Sequence, residues 1–282
     1  MINPNTIYKT PKTMPELPEV ETTKCGLEPL IVNQIVEQAI LYRANLRWEI
    51  PKHLPTTLAN QTVNSIARRG KYLLIKFEVG TLIIHLGMSG SIKVVNNNTP
   101  LKKHDHFELS FSNGKSMRLN DPRRFGAVLF SADNTHALLD SLGVEPLENL
   151  FDEIYLYNKS RKKQQNIKAF IMDSKVVVGV GNIYACESLF HAGIDPKRKA
   201  GSVSKKRYAI LTQCIKQILT QAIKAGGTTL QDFSSVDGQP GYFSQTLSVY
   251  GCENKNCTQC NGKIMRFTQN QRSSFYCPSC QT

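Results

Sequence analysis

Met14-Pro15-Glu16-Leu17-Pro18-Glu19-Val20-Glu21-Thr22 opens the part of the chain around which the rest is organised. Apolar residues recur at helical spacing from this stretch onward, at Leu17, Val20, Leu27, Leu30 and Ile31. The spacing predicts a helix over residues 17–32. Pro18 suits the first turn of such a helix, and Glu19 complements its dipole. The helix explains the stretch from Leu17 onward but gives Pro15 and Glu16 no purpose.

Pro15 has a chemical use only if it is the first residue of the working protein. It would then carry a free secondary amine, and an α-amino group titrates near ~8, so part of it is nucleophilic at neutral pH. Glu16 would stand beside it as a proton shuttle. Thirteen residues precede Met14. We expect Met14 to be the true start and to be removed, and residues 1–13 to be an extension absent from the active form.

Composition favours a globular protein with a polyanionic partner. The 282 residues exceed one usual core, which predicts two domains and a small module. A formal net charge of +13 is typical of nucleic-acid binding. No apolar run reaches the ~18 residues of a membrane span, and residues 1–13 do not resemble a signal peptide. The eight cysteines therefore indicate metal binding and free thiols in a reducing cytoplasm.

Short, partly alternating runs follow the first helix and are separated by Gly, Asn and Pro. They predict strands over residues 63–68, 72–77, 81–86, 92–95, 107–111, 116–120 and 127–130. Such spacing is typical of a β-sandwich or barrel. From about residue 144 the pattern becomes helical, and its clearest helix begins at Ser204 and stops at Gly226. Residues 179–182 predict a glycine turn before another helix, whose first amides could alternatively bind a phosphate.

The last 32 residues contain a metal-ligand pattern. Cys257-x2-Cys260 and Cys277-x2-Cys280 flank a segment of hairpin length, and two such pairs match a tetrahedral four-thiolate zinc site. A tail this short has no room for its own core, so we expect one structural Zn²⁺ to supply most of its fold. Four thiolates leave no open position for a substrate.

Together these segments resemble formamidopyrimidine-DNA glycosylases. The resemblance rests on residues 14–22, His85-Leu-Gly-Met-Ser-Gly90, Asp121-Pro-Arg-Arg-Phe-Gly126, Gly179-Val-Gly-Asn-Ile-Tyr-Ala185 and the four-cysteine tail. It implies an α+β protein: an N-terminal β-sandwich with an N-terminal helix (14–143), a helix-two-turn-helix domain (144–250) and a zinc finger (251–282). It also implies a monomeric base-excision repair enzyme of the bacterial cytoplasm, which binds double-stranded DNA and not membranes. Such an enzyme would remove oxidised purines, namely 8-oxoguanine and formamidopyrimidines, and would then cleave the abasic strand by successive β and δ eliminations through a Schiff base with an N-terminal proline.

The resemblance assigns roles to individual residues. Pro15 would be the nucleophile, Glu16 the proton shuttle, Lys71 a lysine at the phosphate and the damaged site, and Arg272 the arginine of the last elimination. Met88, Arg123 and Phe125 would fill the gap left by a flipped nucleotide, although core packing is the alternative for Met88 and Phe125. The remaining DNA contacts would be His104, Lys163, Lys168 and Asn182. Arg161 or Lys162 could replace Lys163, and residues 231–242 would form a loop over the damaged base.

Three other functions compete with this one. An endonuclease VIII-like relative has the same fold and chemistry but prefers oxidised pyrimidines. A DNA-binding protein without catalysis would result if Pro15 is never freed, because its nitrogen is then a tertiary amide. A zinc-ribbon transcription factor accounts for the cysteines and the charge, but for nothing else in the sequence.

Overall fold

The computed structural model describes residues 14–133, 135–227 and 247–282. Helix α1 (Leu17–Ile31) leads into eight strands, which form two four-stranded antiparallel sheets. The first sheet has the order β1-β6-β7-β5 and the second β2-β3-β4-β8. The strands are β1 (Val36–Leu41), β2 (Ser65–Arg69), β3 (Tyr72–Phe77), β4 (Gly80–His85), β5 (Ser91–Asn96), β6 (Asp105–Phe111), β7 (Lys115–Asn120) and β8 (Ala127–Ser131).

One apolar core joins the two sheets and α1. Phe107 and Leu119 of the first sheet are fully buried in it, as are Leu73 and Ile84 of the second and Leu27 of α1. The alternation of apolar and polar residues produces this arrangement because successive side chains of a strand point to opposite faces. A short helix α2 (Leu54–Leu58) packs beside β1. The result is a sandwich with α1 along one side.

The second half is helical and has its own core. It contains α3 (Ala137–Asp140), α4 (Glu153–Ser160), α5 (Ile167–Met172), α6 (Asn182–His191) and α7 (Lys205–Lys224). The longest helix, α7, begins as its N-cap predicts: the Ser204 side chain accepts a hydrogen bond from Arg207 N. Its buried stripe includes Tyr208, Leu211 and Ile215.

A hairpin of β9 (Met265–Gln269) and β10 (Arg272–Tyr276) completes the chain. It is not isolated from the helices, because Ile264 and Phe275 are buried in the same core as α4–α7. Apolar packing therefore contributes to the fold of this tail, in addition to the metal that the cysteines are expected to bind.

The structure confirms the predicted fold class. Helix α1 ends within one residue of the prediction, and the seven predicted strands all form, with ends shifted by a few residues. Strand β1 was missed because its burial alternates poorly, with Val36 and Ala39 buried three residues apart. In the described part of the chain, none of the helices has the length and hydropathy to cross a membrane.

Candidate active site

The two halves of the chain meet where the N-termini of α1 and α6 face each other. Glu16, the residue before α1, is 2% exposed, and its carboxylate lies on the first turn of α6. It accepts hydrogen bonds from Gly181 N at 2.8 Å and from Ile183 N at 3.0 Å. A Cβ at Gly181 would lie 2.1 Å from the Glu16 carboxyl carbon, so any other residue here would displace the carboxylate. The alternative of a phosphate on these amides is therefore wrong for this structure, because a carboxylate of the chain occupies them.

Burial governs the protonation of Glu16. Desolvation raises the pKa of this carboxyl from 4.5 to about 7, against the opposing influence of the Lys71 charge and the α6 amides. Glu19 adds to the rise and also accepts a hydrogen bond from Glu16 N at 2.9 Å. A carboxyl with a pKa near neutrality can both donate and accept a proton at physiological pH. Pro15 precedes it and is buried as well.

A cavity of about 310 Å³ lies beside this junction and brings three of the predicted segments together. Met14, Lys71 and Arg272 line it, coming from the N-terminal stretch, the β2–β3 turn and the first residue of β10. Burial lowers the pKa of the Lys71 ammonium, Glu16 opposes that shift and Arg272 adds to it. Lys71 and Arg272 thus place two positive charges beside the buried carboxyl, which suits a polyanion with a reactive centre.

Two further residues of this cavity were not assigned from the sequence. His85, at the end of β4, accepts a hydrogen bond at Nδ1 from Gly87 N at 3.1 Å, which leaves its proton on Nε2. Burial, with the charges of Lys71 and Arg47, lowers the pKa of His85 to about 4, so the ring is a neutral donor. Arg47 also lines the cavity, and its guanidinium lies 4.6 Å from the ring centre of Trp48. The only tryptophan of the sequence, directly after Arg47, was a signal that could have pointed to this site.

Lys168 and Asn182 hold the hairpin in place behind Arg272. Lys168, on α5, is 2% exposed, and its Nζ donates to Ser274 Oγ at 2.6 Å and to Ser273 O at 3.2 Å. Asn182, the first residue of α6, donates from Nδ2 to the same Ser273 oxygen at 3.0 Å. Both side chains therefore bind β10 directly after Arg272. A second cavity, of about 250 Å³, lies between Lys168 and Arg272.

The predicted gap-filling residues lie on two loops that one buried carboxylate joins. Asp121 is fully buried and accepts hydrogen bonds from Ser89 Oγ at 2.7 Å and from Gly126 N at 2.8 Å. Ser89 follows Met88 on the β4–β5 loop, and Gly126 follows Phe125. The two loops are thus fixed to each other through Asp121, and this carboxylate does not bind the side chains of Met88 or Phe125.

Exposure decides between gap filling and core packing for these residues. Phe125 is 45% exposed, and the Arg123 guanidinium lies 5.0 Å from the centre of its ring. Met88 is partly exposed and belongs to neither core cluster. Core packing therefore does not account for the position of Phe125, and it accounts for only part of the Met88 side chain.

The other predicted DNA contacts lie at two separate places. His104 is next to the Asp121 loop, where its carbonyl oxygen accepts a hydrogen bond from Asp121 N at 3.0 Å. Lys163 is exposed between α4 and α5 and does not line the cavity of Lys71. Among its neighbours, the Arg161 guanidinium lies 3.9 Å from the Tyr157 ring centre and donates a hydrogen bond to Val203 O. Its contacts are therefore with the helical half of the chain. Lys162 is exposed, like Lys163.

The four paired cysteines form one cluster at the end of the hairpin. The sulfur atoms of Cys257, Cys260, Cys277 and Cys280 all lie within 4.8 Å of one another. The Cys257–Cys280 sulfurs are 3.8 Å apart and the Cys260–Cys277 sulfurs 3.4 Å apart. Four thiolates at about 2.3 Å from a tetrahedral ion would be about 3.8 Å apart, so this donor set fits a metal ion.

The predicted loop at 231–242 lies outside the described residues.

Comparisons with known proteins match both halves of the chain to one family. A family model for the formamidopyrimidine-DNA glycosylase N-terminal domain matches residues 14–128, and one for the H2TH domain of the same family matches residues 142–234. Curated formamidopyrimidine-DNA glycosylases of Vesicomyosocius okutanii and Ruthia magnifica are 74% and 75% identical over 269 residues, which cover 95% of this chain and 100% of each relative.

Solved structures give the same result for the fold. A Lactococcus lactis protein in complex with a Fapy-dG containing DNA is 31% identical, with a TM-score of 0.89, over 95% of this chain and 100% of that one. A Thermus thermophilus protein is 33% identical, with a TM-score of 0.86, over 95% of this chain and 98% of that one.

Proposed function

The chain belongs to the formamidopyrimidine-DNA glycosylase family, and we propose that it excises oxidised purines from DNA and then cleaves the abasic strand. Its substrates would be 8-oxoguanine and formamidopyrimidines in double-stranded DNA. The observation that carries the proposal is the convergence of Glu16, Lys71 and Arg272 on one junction, directly beside Pro15. The Lactococcus lactis relative was crystallised with DNA that contains such a lesion.

The proposed reaction starts at the Pro15 nitrogen. Its lone pair attacks C1′ of the damaged nucleotide, the base leaves with the electrons of the glycosidic bond, and the sugar ring opens to give an iminium. The positive iminium acidifies the C2′ proton, whose removal expels the 3′-phosphate, and a second elimination releases the 5′-phosphate. Glu16, with a pKa of about 7, exchanges protons at the sugar. Lys71 and Arg272 balance the phosphate charge.

DNA binding is proposed to use the exposed loops and the hairpin. Met88 and Phe125 replace the stacking of the flipped nucleotide, and Arg123 hydrogen-bonds the orphaned base. His104, Lys163 and Asn182 contact the DNA backbone. Lys168 is also assigned to DNA binding, and its burial suggests that it acts by holding β10, and therefore Arg272, against the phosphate.

We assign one structural Zn²⁺ to the four cysteines, since thiolate sets of this spacing and separation select zinc. Residues 14–143 would form the catalytic domain, 144–250 the helix-two-turn-helix domain and 251–282 the zinc finger. The protein would act as a monomer on DNA in the bacterial cytoplasm.

Activity depends on the N-terminus. In the printed sequence the Pro15 nitrogen is a tertiary amide, whose lone pair is delocalised and cannot attack C1′. We therefore propose that the active form begins at Pro15, after translation from Met14 or after cleavage of the extension. The family model begins at residue 14, which supports this start.

Comparing substrates tests the proposed function. A chain that begins at Pro15 is expected to excise 8-oxoguanine from a duplex much faster than thymine glycol. A clear preference for thymine glycol would instead indicate an endonuclease VIII-like enzyme. Tight binding of both duplexes without cleavage of either would indicate a DNA-binding protein without catalysis.

A further inference from the structure

A buried carboxylate outside the reaction just described connects the two halves of the chain. Glu145, which follows β8 and α3 and precedes α4, is 7% exposed. Its Oε1 accepts a hydrogen bond from Gly70 N at 2.6 Å and one from Arg69 Nη1 at 3.1 Å. Its Oε2 accepts one from Arg68 Nη1 at 2.8 Å. The carboxylate of the second half thus binds three consecutive residues of the β2–β3 hairpin.

A second carboxylate holds the same arginine from the other side. Arg68 Nε donates to Glu21 Oε2, on α1, at 2.6 Å. Arg69 completes its bonding with the carbonyl oxygens of Leu142 and Gly143, at 3.1 and 2.6 Å. Two carboxylates therefore face two guanidinium groups, of which Glu145 is buried and the other three are partly buried. Charges arranged in this way fix the local geometry, because moving one leaves its partner uncompensated.

The network ends at the turn that carries Lys71. Arg69 pairs with Tyr72 across the hairpin, so Gly70 and Lys71 form a two-residue turn. Gly70 has φ +58°, which glycine adopts without strain. A Cβ at Gly70 would approach Val178 Cβ to 3.0 Å, so the turn packs closely against the second half. Lys71, the next residue, lines the cavity with Arg272.

We propose that Glu145 is a positioning residue for Lys71: by binding the amide of Gly70 and both preceding arginines, it holds the Lys71 ammonium in the cavity next to Glu16. The proposal rests on the proposed function for the importance of Lys71. It adds that the geometry of Lys71 is set from the other half of the chain, through a group that touches neither the lesion nor a phosphate.

Single-turnover excision of 8-oxoguanine tests this coupling in the chain that begins at Pro15. Glu145→Gln preserves shape and one acceptor but removes the charge, and we expect the excision rate to fall about 10-fold while affinity for an uncleavable abasic duplex changes less than twofold. In a Lys71→Ala background the same substitution should change the rate less than twofold. Glu148→Gln, an exposed neighbour, is the matched control and should change nothing. Multiplicative losses from Glu145→Gln and Lys71→Ala would overturn the proposal.

A second measurement does not depend on activity. Reductive methylation with ¹³C-formaldehyde gives each lysine of the full chain an NMR signal, and Lys71→Arg identifies the signal of Lys71. We expect Glu145→Gln, and more weakly Glu21→Gln, to shift that signal, whereas Glu148→Gln leaves it unchanged. An unshifted signal in folded Glu145→Gln would contradict the proposal, whether or not the enzyme excises 8-oxoguanine. Absence of excision by the wild-type chain that begins at Pro15, together with a shifted signal, would contradict only the proposed function.

Discussion

Replacing Glu16 by glutamine should change how the stability of the protein depends on pH. The pKa of Glu16 is about 7 in the folded chain, against an ordinary value of 4.5. The folded state therefore binds more protons than the unfolded state between these values, and stability falls as pH rises through them. Below pH 4.5 the carboxyl is neutral in both states, and the loss is complete once the pH exceeds about 7.

Integrating this linkage gives the size of the effect. Between pH 5 and pH 8, ionisation of Glu16 should lower the free energy of unfolding by roughly 2 to 3 kcal/mol. A glutamine at this position has no charge to desolvate. Its side-chain NH2, however, must face one of the two backbone N–H groups, of Gly181 and Ile183, that donate hydrogen bonds to Glu16. We therefore expect the Glu16→Gln variant to lose stability at pH 5, by about 1 to 2 kcal/mol, and to recover relative to the wild type as pH rises.

Urea unfolding of the full 282-residue chain at several pH values measures the difference. Glu148→Gln, an exposed change of the same chemistry, is the control and should follow the wild-type curve. The reasoning would be refuted if the curves for Glu16→Gln and wild type ran parallel from pH 5 to pH 8. That result would mean that Glu16 ionises with an ordinary pKa and is not poised for proton transfer.

Three further changes have defined outcomes. In the chain that begins at Pro15, Lys71→Ala should slow strand cleavage at 8-oxoguanine by about 100-fold in single-turnover assays, whereas Lys52→Ala, at an exposed site, should not. Unchanged cleavage by the Lys71→Ala variant would remove Lys71 from the mechanism. Phe125→Ala should reduce the excision rate by about 10-fold. It should lower the free energy of unfolding by less than about 0.5 kcal/mol, because the ring is 45% exposed. Leu150→Ala, at a 70% exposed site, is the control and should change neither quantity. Removing the metal should weaken duplex binding at least about 100-fold in fluorescence anisotropy, because folding of the hairpin is coupled to the ion; tight binding after verified metal removal would contradict this coupling.

Much of the fold could be predicted because its causes are local. Period and capping identified α1 and α7, and alternation between turn residues identified seven strands. The paired spacing of the cysteines predicted their cluster, since close sequence neighbours bring two sulfurs together whatever the rest of the fold does. Strand β1 escaped because its buried residues are three apart rather than two.

The site was harder to predict than the fold, because the residues in contact are distant in sequence. The sequence predicts Gly181 only as a turn residue, since nothing near it shows that the carboxylate of Glu16, 165 residues earlier, fills the space that a Cβ would need. Glu145 carried no signal for the same reason, because its partners lie more than 70 residues away. The choice between gap filling and core packing for Phe125 depends on its exposure, which a sequence motif does not give.

Trapping with borohydride tests the central claim most directly, because it reduces an iminium between the enzyme and the sugar to a stable bond. Two forms of the protein should be compared on the same 8-oxoguanine duplex: the full 282-residue chain and the chain that begins at Pro15. Our account predicts a covalent protein–DNA adduct only for the chain that begins at Pro15, with the linkage at the Pro15 nitrogen. Equal trapping of the full chain, or no adduct with either form, would contradict it.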